Sequence, residues 1–227
     1  MNVFYMNQKE LLEITENSFF YVFYFELFAF TITLISMSLV DSSESRRILF
    51  LELLVTMISS IMYYLFITDI SKYFDKNENP DLTSIDRLRY KGWAFTTPLM
   101  LISLCLLLNE TTKIALPTFF LFTILVLDYV MLLIGFLGEI NVIDRISAMI
   151  LGFLPFFMIF YLIYSTFLVR KTTGFNYLVF GIYFFVWAGY GVSYLFDEEI
   201  KNILMNIFDC ISKGVIAILI SGKLIFY

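Results

Sequence analysis

The sequence contains no histidine, only two cysteines and few charged residues. The absence of histidine excludes imidazole metal sites and histidine proton shuttles. Cys105 and Cys210 both lie in apolar runs, where small buried side chains are a simpler interpretation than a disulfide or a metal pair. Charged residues make up 15% of the chain and hydrophobic residues 60%, against about 25% and about 45–50% in soluble domains. The composition therefore excludes an ordinary soluble domain and indicates a polytopic membrane protein.

Several functional motifs are also missing. The sequence has no phosphate-binding loop, no Cys-x-x-Cys pair and no basic patch of the kind that binds nucleic acid. We therefore expect no nucleic-acid partner, no soluble partner and no metal site. No basic region precedes the first apolar run, so we also expect no cleaved signal peptide.

What remains is a series of apolar runs separated by short polar linkers. A run of about 20 apolar residues crosses the roughly 30 Å hydrocarbon layer as a helix. The sequence predicts an all-α membrane protein, a single seven-transmembrane-helix domain over residues 1–227, with the longest linker between residues 69 and 91. The predicted spans are approximately 18–40, 48–68, 92–108, 114–138, 146–169, 175–196 and 203–222.

The loop charges suggest an orientation. The linkers on the side of the C-terminus hold six basic and three acidic residues, and those on the other side hold eight basic and thirteen acidic residues. Basic residues favour the cytoplasmic side, although the long second loop alone carries five of them and opposes this assignment. We expect the N-terminus outside and the C-terminus in the cytoplasm. The basic residues behind this expectation are Arg46, Arg47, Lys113, Arg170, Lys171 and Lys223.

Three isolated carboxylates lie inside predicted spans. An ionisable residue at mid-bilayer costs at least about 2.5–3.5 kcal/mol, so each is a functional candidate. Glu52 is either a snorkelling residue near the end of its helix or part of an ion path. Asp128 is interpreted as an interhelical hydrogen-bonding group, and for Glu26 a structural bond and a function are equally open.

Asp209 and Lys213 form a different arrangement. They are four residues apart and share one helical face, and each opposite charge favours the ionised form of the other. One interpretation is a structural ion pair, although apolar replacements of such pairs are often neutral or stabilising. The other is a desolvated amine that condenses with an aldehyde to a Schiff base, whose cation requires a counter-ion one turn away.

Four motifs resemble the helix signatures of microbial (type 1) rhodopsins, the bacteriorhodopsin family. Residues 89–99, RYKGWAFTTPL, resemble the third-helix signature R-Y-x-D-W-x-F-T-T-P-L. Residues 128–138 match D-x-x-M-x-x-x-G-x-x-G of the fourth helix. Residues 187–194 resemble W-x-x-Y-P-x-x-W of the sixth, with the proline and the final tryptophan replaced. Residues 209–213 match D-x-x-x-K of the last helix. The resemblance covers all seven helices in order, with weaker matches at Met62, Tyr63, Arg145 and Tyr161.

This resemblance implies all-trans retinal bound covalently to Lys213, with Asp209 as counter-ion. Trp93 and Trp187 would sandwich the polyene, and Arg89 would stand between the Schiff base and the outer mouth. Read without the family, the same aromatic set is typical of an ordinary core. The implied retinal pocket consists of Tyr90, Trp93, Thr96, Thr97, Met100, Met131, Gly135, Gly152, Phe156, Trp187, Tyr190 and Tyr194.

The chain departs from the family pattern at two proton-transfer positions. Gly92 stands where the third-helix signature has an aspartate, and Ser103 stands at the position of the cytoplasmic proton donor. A proton pump requires both an acceptor and a donor, so these departures weigh against outward pumping. Gly92 also leaves a gap that water can fill, and polar residues on several helices suggest a water path. The predicted ion pathway comprises Arg89, Glu52, Glu26, Gly92, Ser103 and Tyr63, with Ser59, Ser60, Asn206 and Ser212 as further polar residues.

The function expected from these features is that of a light-gated cation channel, not an enzyme. The alternatives are a light-driven proton pump and, less favoured, a photosensory receptor. The pattern resembles the short rhodopsins of large algal viruses, some of which act as channels and others as weak pumps. Beyond the lipid bilayer, the partner implied by the family is a second copy of the chain, in a trimer or pentamer.

Overall fold

The computed structural model describes residues 8–74, 82–169 and 172–226, and these residues form seven long helices. Four are uninterrupted α-helices of 22 to 32 residues, and the sixth has 20 residues. At 1.5 Å per residue, each is long enough to cross the hydrocarbon layer. Their bounds are α1 Gln8–Leu39, α2 Ser43–Phe74, α3 Leu82–Thr112, α4 Thr118–Glu139, α5 Arg145–Leu168, α6 Gly174–Ser193 and α7 Glu198–Phe226.

Two of the helices contain a wider, π-helical turn. In α5 this turn occupies the last five residues, Tyr164–Leu168. In α7 it lies in the middle, at Cys210–Val215, between Glu198–Asp209 and Ile216–Phe226. Such turns are rare and occur frequently at functional sites. The turn in α7 carries Lys213.

The helix boundaries follow from local chemistry. Asp144 caps α5 by accepting a hydrogen bond from the Ser147 backbone N–H at 2.9 Å, and this bond lowers the pKa of the Asp144 carboxyl. Thr173 caps α6 in the same way, through the Asn176 N–H at 3.3 Å. Pro117 precedes α4 in an extended conformation. Because proline disfavours helix in the residue before it, α4 begins at Thr118 and not near residue 114, as the sequence had predicted.

The predicted long loop between residues 69 and 91 is wrong for most of its length. Helix α2 continues to Phe74, and α3 already begins at Leu82, ten residues before the predicted span. Helical hydrogen bonding does not depend on lipid, and two charged residues of this extension, Asp86 and Arg89, find partners inside the bundle. Pro80 and the rest of 75–81 lie outside the described residues, as do Arg170 and Lys171, on which the predicted orientation partly depends.

The helices form a bundle with an apolar outer surface and polar side chains in its interior. Helix α1 packs against α2 and α7, and α7 also packs against α6, which closes the ring. Large apolar side chains point outward, with Phe119 79% and Phe185 74% exposed, as expected for surfaces that face lipid tails. Most of the polar and charged side chains within the spans are buried in the interior. The prediction of an all-α bundle of seven membrane-spanning helices is confirmed.

Candidate functional site: a buried lysine at the end of an apolar cavity

A cavity with a volume of about 120 Å³ lies in the bundle and ends at Lys213. Eleven of the twelve predicted pocket residues line it, from α3, α4, α5, α6 and the segment that follows α6. Trp93 and Trp187 both line the cavity and are almost fully buried, at 9% and 7% exposed. The lining is predominantly aromatic and aliphatic, so the cavity is suited to a long apolar ligand.

Thr96 is the exception among the predicted pocket residues. It lines a second, smaller cavity of about 10 Å³, on the opposite side of Lys213, together with Ser59, Arg89 and Asp209. Its hydroxyl donates to the Gly92 carbonyl oxygen at 3.2 Å, one turn back on α3. Thr97, the next residue along the helix, faces the large cavity instead.

Seven lining residues of the large cavity were not predicted from the sequence. On α5, Met149 precedes Gly152 by three residues and Phe156 by seven, so all three share one helical face. That spacing was a usable signal. By contrast, Gly191 and Met205 come to the cavity through the packing of α6 and α7, for which the sequence carries no local pattern. The unpredicted lining residues are Leu132, Ala148, Met149, Phe153, Gly191, Met205 and Ser212.

Lys213 is 3% exposed, and its Nζ contacts Asp209 Oδ1, one helical turn back. The spacing of four residues places both side chains on one face of α7, as the sequence predicted. A buried amine beside a buried carboxylate forms a compensated charge pair.

Asp209 accepts hydrogen bonds from four further side chains. On Oδ2 the donors are Tyr63 OH at 2.8 Å and Arg89 Nη1 at 2.9 Å. On Oδ1 they are Tyr190 OH at 2.7 Å and the Trp93 indole N–H at 3.3 Å. An ionised carboxylate offers about four lone-pair sites, so these donors, together with Lys213, satisfy both oxygens of an ionised Asp209.

Arg89 links this carboxylate to the end of the bundle at which α7 begins. It is 1% exposed, and its Nη2 donates to Asn206 Oδ1 at 2.8 Å and to Asn202 Oδ1 at 3.0 Å. The ring of Phe66 lies 5.0 Å from the guanidinium carbon, a distance at which cation–π attraction operates. Arg89 therefore stands between Lys213 and that end of the bundle, in agreement with its predicted place.

The predicted gap at Gly92 is largely filled. A Cβ on Gly92 would lie 2.9 Å from Met62 Cγ and 3.3 Å from Met62 Cε, so the methionine side chain occupies most of the space that a third-helix carboxylate would need. What remains is the cavity of about 10 Å³, which is the lower limit for one water molecule.

Glu52 and Ser103 form a buried acid–hydroxyl pair. Ser103 Oγ donates to Glu52 Oε1 at 2.5 Å, and both side chains are fully buried. The snorkelling interpretation of Glu52 is therefore wrong, because the carboxyl points into the bundle toward α3. Ser59 lines the small cavity beside Lys213. Glu52 lies seven residues before Ser59, which is about 10 Å along α2.

Asp128 and Glu26 are two further buried carboxyls with different surroundings. Asp128 Oδ2 accepts a hydrogen bond from Thr97 Oγ1 at 2.8 Å, which joins α4 to α3 and agrees with the predicted interhelical role. Glu26 is 0% exposed and faces inward at the level of Lys213 and Gly214. Neither oxygen of Glu26 has a hydrogen-bond partner in the described part of the chain.

A cluster of buried charges at the start of α7 was missed by the sequence analysis, which assigned its members to loops. Lys201 is 0% exposed, and its Nζ lies 2.8 Å from Asp86 Oδ2, 2.7 Å from Glu198 Oε2 and 3.3 Å from Glu139 Oε2. Arg145 pairs with Glu198 at the rim. Lys213 is thus not the only buried lysine, although Lys201 lies in the first turn of α7 and not deep in the span. We call Asp86, Glu139, Arg145, Glu198 and Lys201 the outer charge cluster.

The fold and the site together define a membrane protein that holds an apolar ligand beside a buried amine. The model of the bacteriorhodopsin-like protein family matches residues 14–224. The chain therefore belongs to the bacteriorhodopsin-like family, the microbial rhodopsins, as its motifs predicted.

Solved structures agree with this assignment. The viral rhodopsin OLPVRII is 32% identical, with 92% of this chain and 96% of that chain covered and a TM-score of 0.82. A blue light-absorbing proteorhodopsin from Med12 is 23% identical over 92% and 96% of the two chains, at a TM-score of 0.73. The rhodopsin of Exiguobacterium sibiricum is 21% identical over 95% and 96%, at 0.77. The last two support the fold alone. No curated protein matches the chain.

Family membership implies retinal bound to a lysine, and the residues of this chain fit that group. Lys213 ends an apolar cavity and contacts a carboxylate that can balance a cation. Farther along the cavity, a Cβ added to Gly152 would meet no atom within 4 Å, so the space there is open for a bulky ring. Lys201, in contrast, is surrounded by three carboxylates and does not line the cavity.

Proposed function

We propose that the protein is a light-gated cation channel in which all-trans retinal is attached to Lys213 and Asp209 is the counter-ion. The single observation that carries the channel proposal is a column of buried polar side chains through the bundle. It runs along α1, α2, α3 and α7 and passes directly beside Lys213.

Retinal, when bound through its aldehyde carbon to the Lys213 nitrogen, supplies absorption of visible light and a light-driven change of shape. The protein's own residues do the rest. Lys213 fixes one end of the ligand, and Asp209 holds the compensating negative charge in place with its four other donors. Trp93 and Trp187 confine the ligand within the cavity. A change in the shape of the ligand is thereby coupled to the Lys213–Asp209 charge pair at the Lys213 nitrogen.

The column begins at the outer charge cluster and continues through Arg89 and Asn206 to Asp209. Beyond Lys213 it continues on the facing helices. Thr33 and Ser221 extend it farther, with 3.5 Å between their hydroxyl oxygens. Polar side chains that line a cavity between helices are how ions cross membranes. The members on the far side of Lys213 are Ser59, Glu26, Ser60, Thr56, Glu52, Ser103, Thr33 and Ser221.

In this conformation the column is closed at two levels. At the outer end, two ion pairs link α3 to α7: Lys201 of α7 with Asp86 of α3, and Arg89 of α3 with Asp209 of α7. At the other end, apolar side chains from several helices, including Leu49, Leu104 and Ile220, are completely buried. A channel that conducts only under illumination must be closed in the dark, so light has to separate both sets of contacts.

A light-driven proton pump is the second candidate, and the Glu52–Ser103 hydrogen bond favours it. The position at which the family's pumps carry a proton donor holds Ser103, but the hydroxyl is directly hydrogen-bonded to a carboxyl from α2. A carboxyl group is therefore present at that depth, and it belongs to α2 instead of α3. Of the two departures that weigh against pumping, this carboxyl offsets the one at Ser103, while the missing third-helix carboxylate at Gly92 remains.

We also propose that the N-terminus lies outside and the C-terminus in the cytoplasm, which makes the outer charge cluster extracellular. The short length and the likeness to a viral rhodopsin support a place among the viral members of the family. The family resemblance further supports a homo-oligomer, trimer or pentamer, in the lipid bilayer. The mass of the detergent-solubilised pigment distinguishes these assemblies from a monomer.

The decisive experiment is electrical recording under illumination in cells that express the protein with retinal. We expect photocurrents that reverse sign at the equilibrium potential of a permeant cation and shift with its gradient. Lys213→Ala supplies the control for light-independent current. A current of fixed direction at zero voltage and equal ion concentrations would instead establish the pump, and no photocurrent under either condition would refute both.

A further inference from the structure

Glu26 is a buried carboxyl whose environment differs from that of the other acids in the bundle. It is 0% exposed, and no hydrogen-bond donor among the described residues reaches either of its oxygens. Buried polar groups without partners are rare and costly, about 1–3 kcal/mol each, so a group that retains this cost calls for an explanation.

The absence of a side chain at Gly214 of α7 leaves room for this carboxyl. A Cβ on Gly214 would lie 3.3 Å from Glu26 Oε1 and 2.5 Å from Phe25 Cε1, so a side chain at 214 would push α1 away. The glycine directly follows Lys213 and belongs to the π-helical turn Cys210–Val215. Glu26 is therefore packed against the segment that carries Lys213.

The charge balance indicates that Glu26 carries a proton. Four cationic side chains, Arg89, Arg145, Lys201 and Lys213, are already paired with the four carboxylates Asp86, Glu139, Glu198 and Asp209. None of these ion pairs includes Glu26. An ionised carboxylate without a hydrogen bond would be an uncompensated buried charge, which costs several kcal/mol. The uncharged acid avoids this cost.

Glu26 lies on a helix that packs against both of the elements that carry the neighbouring titratable groups. Its carboxyl is packed against Gly214, next to Lys213 on α7. Helix α1 also packs along α2, which carries the Glu52 carboxyl bonded to Ser103. The titratable groups that face it are Lys213 and Cys210 on α7, Tyr63 and Glu52 on α2, and Tyr190 on α6.

We propose that Glu26 is a protonated acid that returns a proton to the Lys213 nitrogen during the light-driven cycle. The step begins after the nitrogen has passed its proton to Asp209, the carboxylate it already contacts. The O–H bond of Glu26 then breaks, a new N–H bond forms at Lys213, and Glu26 becomes a carboxylate. Glu52 supplies the next proton to Glu26. The inference depends on the proposed attachment of retinal to Lys213, but not on whether the protein is a channel or a pump.

The test is flash spectroscopy on the purified pigment over a range of pH. With an internal donor, the rate at which the Lys213 nitrogen regains its proton should not depend on pH between about 6 and 8. In Glu26→Gln the proton must come from bulk water, so we expect that rate to fall at least tenfold at pH 8 and to change tenfold per pH unit. Glu110→Gln, the same chemical change about two turns beyond Ser103 on α3, is the matched control and should behave like the wild type.

Infrared difference spectroscopy gives a readout that does not depend on transport. Light should remove a protonated-carboxyl C=O band in the wild type, and that band should be missing in Glu26→Gln and present in Glu110→Gln. If Glu26→Gln does not form a pigment, Glu26→Asp serves instead, with a slower rate and a shifted band expected.

Three results would overturn the proposal: an unchanged, pH-independent rate in Glu26→Gln, a Glu26 carboxyl that is ionised in the dark, or a wild-type cycle in which the nitrogen never loses its proton. Each of these can occur in a protein that still conducts under light, so failure here differs from failure of the proposed function.

Discussion

Single residues determine where charge resides in this bundle. Asp209 is surrounded by donors, whereas Glu26 has none among the described residues. A carboxylate is stabilised by each hydrogen bond it accepts, and a bare buried carboxyl is stable only without charge. The two carboxyls near the same lysine therefore differ: Asp209 forms an ion pair with Lys213, whereas in our proposal Glu26 is protonated before light is absorbed.

Substitutions can distinguish the roles of the two buried lysines, Lys213 and Lys201. Lys213→Ala removes the amine at the cavity, so we expect no visible pigment and no product of borohydride reduction on the protein. Lys201→Arg removes the other buried amine but keeps its charge, and it should leave pigment formation unchanged. The measurement is the visible absorption spectrum after addition of retinal. A pigment that persists in Lys213→Ala and disappears in Lys201→Arg would move the attachment site to the outer charge cluster.

Gly92 can be used to test whether a missing carboxylate sets the properties of the site. In Gly92→Asp a second anion lies near the Lys213 nitrogen, so the visible band of the protonated pigment should persist at least one pH unit further into the alkaline range, which is about 1.4 kcal/mol. Met62 has to move in this variant, since its Cγ lies 2.9 Å from the new Cβ position. Gly92→Asn makes the same steric demand without the charge and should not extend the range. An equal response in both variants would show that packing, and not charge, controls the pigment.

At the scale of whole helices, the π-helical turn of α7 and the pairing of α2 with α3 shape the two halves of the site. The turn widens the helix at Cys210–Val215, where Lys213 and Gly214 meet α1. Farther along, Glu52 of α2 reaches Ser103 of α3. Helices that meet through buried polar pairs keep those pairs away from lipid, so the column of polar side chains lies inside the bundle.

Glu52→Gln tests whether the α2–α3 pair belongs to the ion path. The substitution retains the size of the side chain and removes its acidity, so photocurrent amplitude or ion preference should change at least twofold. The absorption maximum should stay nearly constant, because Glu52 is about 10 Å from the cavity beside Lys213 along α2. Glu44→Gln, an exposed position in the first turn of the same helix, is the control. Equal currents in both variants would assign Glu52 a structural role only.

The N-terminal cap of α5 predicts an acid-sensitive helix end. Asp144 accepts a hydrogen bond from Ser147 N–H, which lowers its pKa in the folded state. A lowered pKa means that the cap stabilises the fold above the unfolded value of about 3.9 and that this contribution is lost as the pH falls through the folded value. Asp144→Ala should lower the melting temperature at pH 7 but not below about pH 3. A difference that is independent of pH would exclude the cap as the cause.

For the molecule as a whole, the outer charge cluster joins four helices and closes the bundle at one end. Lys201 of α7 contacts Asp86 of α3 and Glu139 of α4, and Arg145 of α5 pairs with Glu198 of α7. Buried ion pairs contribute little to stability as a set but are costly to break, because a remaining charge has no partner. Removal of one member therefore leaves other charges of the cluster unpaired, so its members depend on one another to hold this end of the bundle together.

Lys201→Met tests this interdependence. It leaves three carboxylates without their shared ammonium, and we expect a loss of about 3–5 kcal/mol in the free energy of unfolding. The double variant with Asp86→Asn should recover part of the loss, because one fewer charge is left unpaired. Thermal unfolding in detergent measures both, and Lys72→Met, at a lysine whose side chain is 69% exposed, is the control. Equal stability of Lys201→Met and Lys72→Met would mean that water compensates the cluster.

The sequence alone determined the seven spans, the Asp209–Lys213 pair and eleven of the twelve pocket positions that line the cavity, because helical periodicity and the family motifs are local properties of the chain. Only the tertiary structure decided the rest. Whether Glu52 snorkels or turns inward depends on Ser103, which is 51 residues away, and the gap at Gly92 depends on Met62 from another helix. The sequence assigned Lys201, Asp86 and Glu139 to loops. A charged residue near the end of a span is stable either in water or in a buried ion pair, and only the packing of α3, α4 and α7 decides which of these environments it has. Hydrophobicity fixes which segments enter the membrane, whereas the partners of the few charges inside are fixed by contacts between helices distant in sequence.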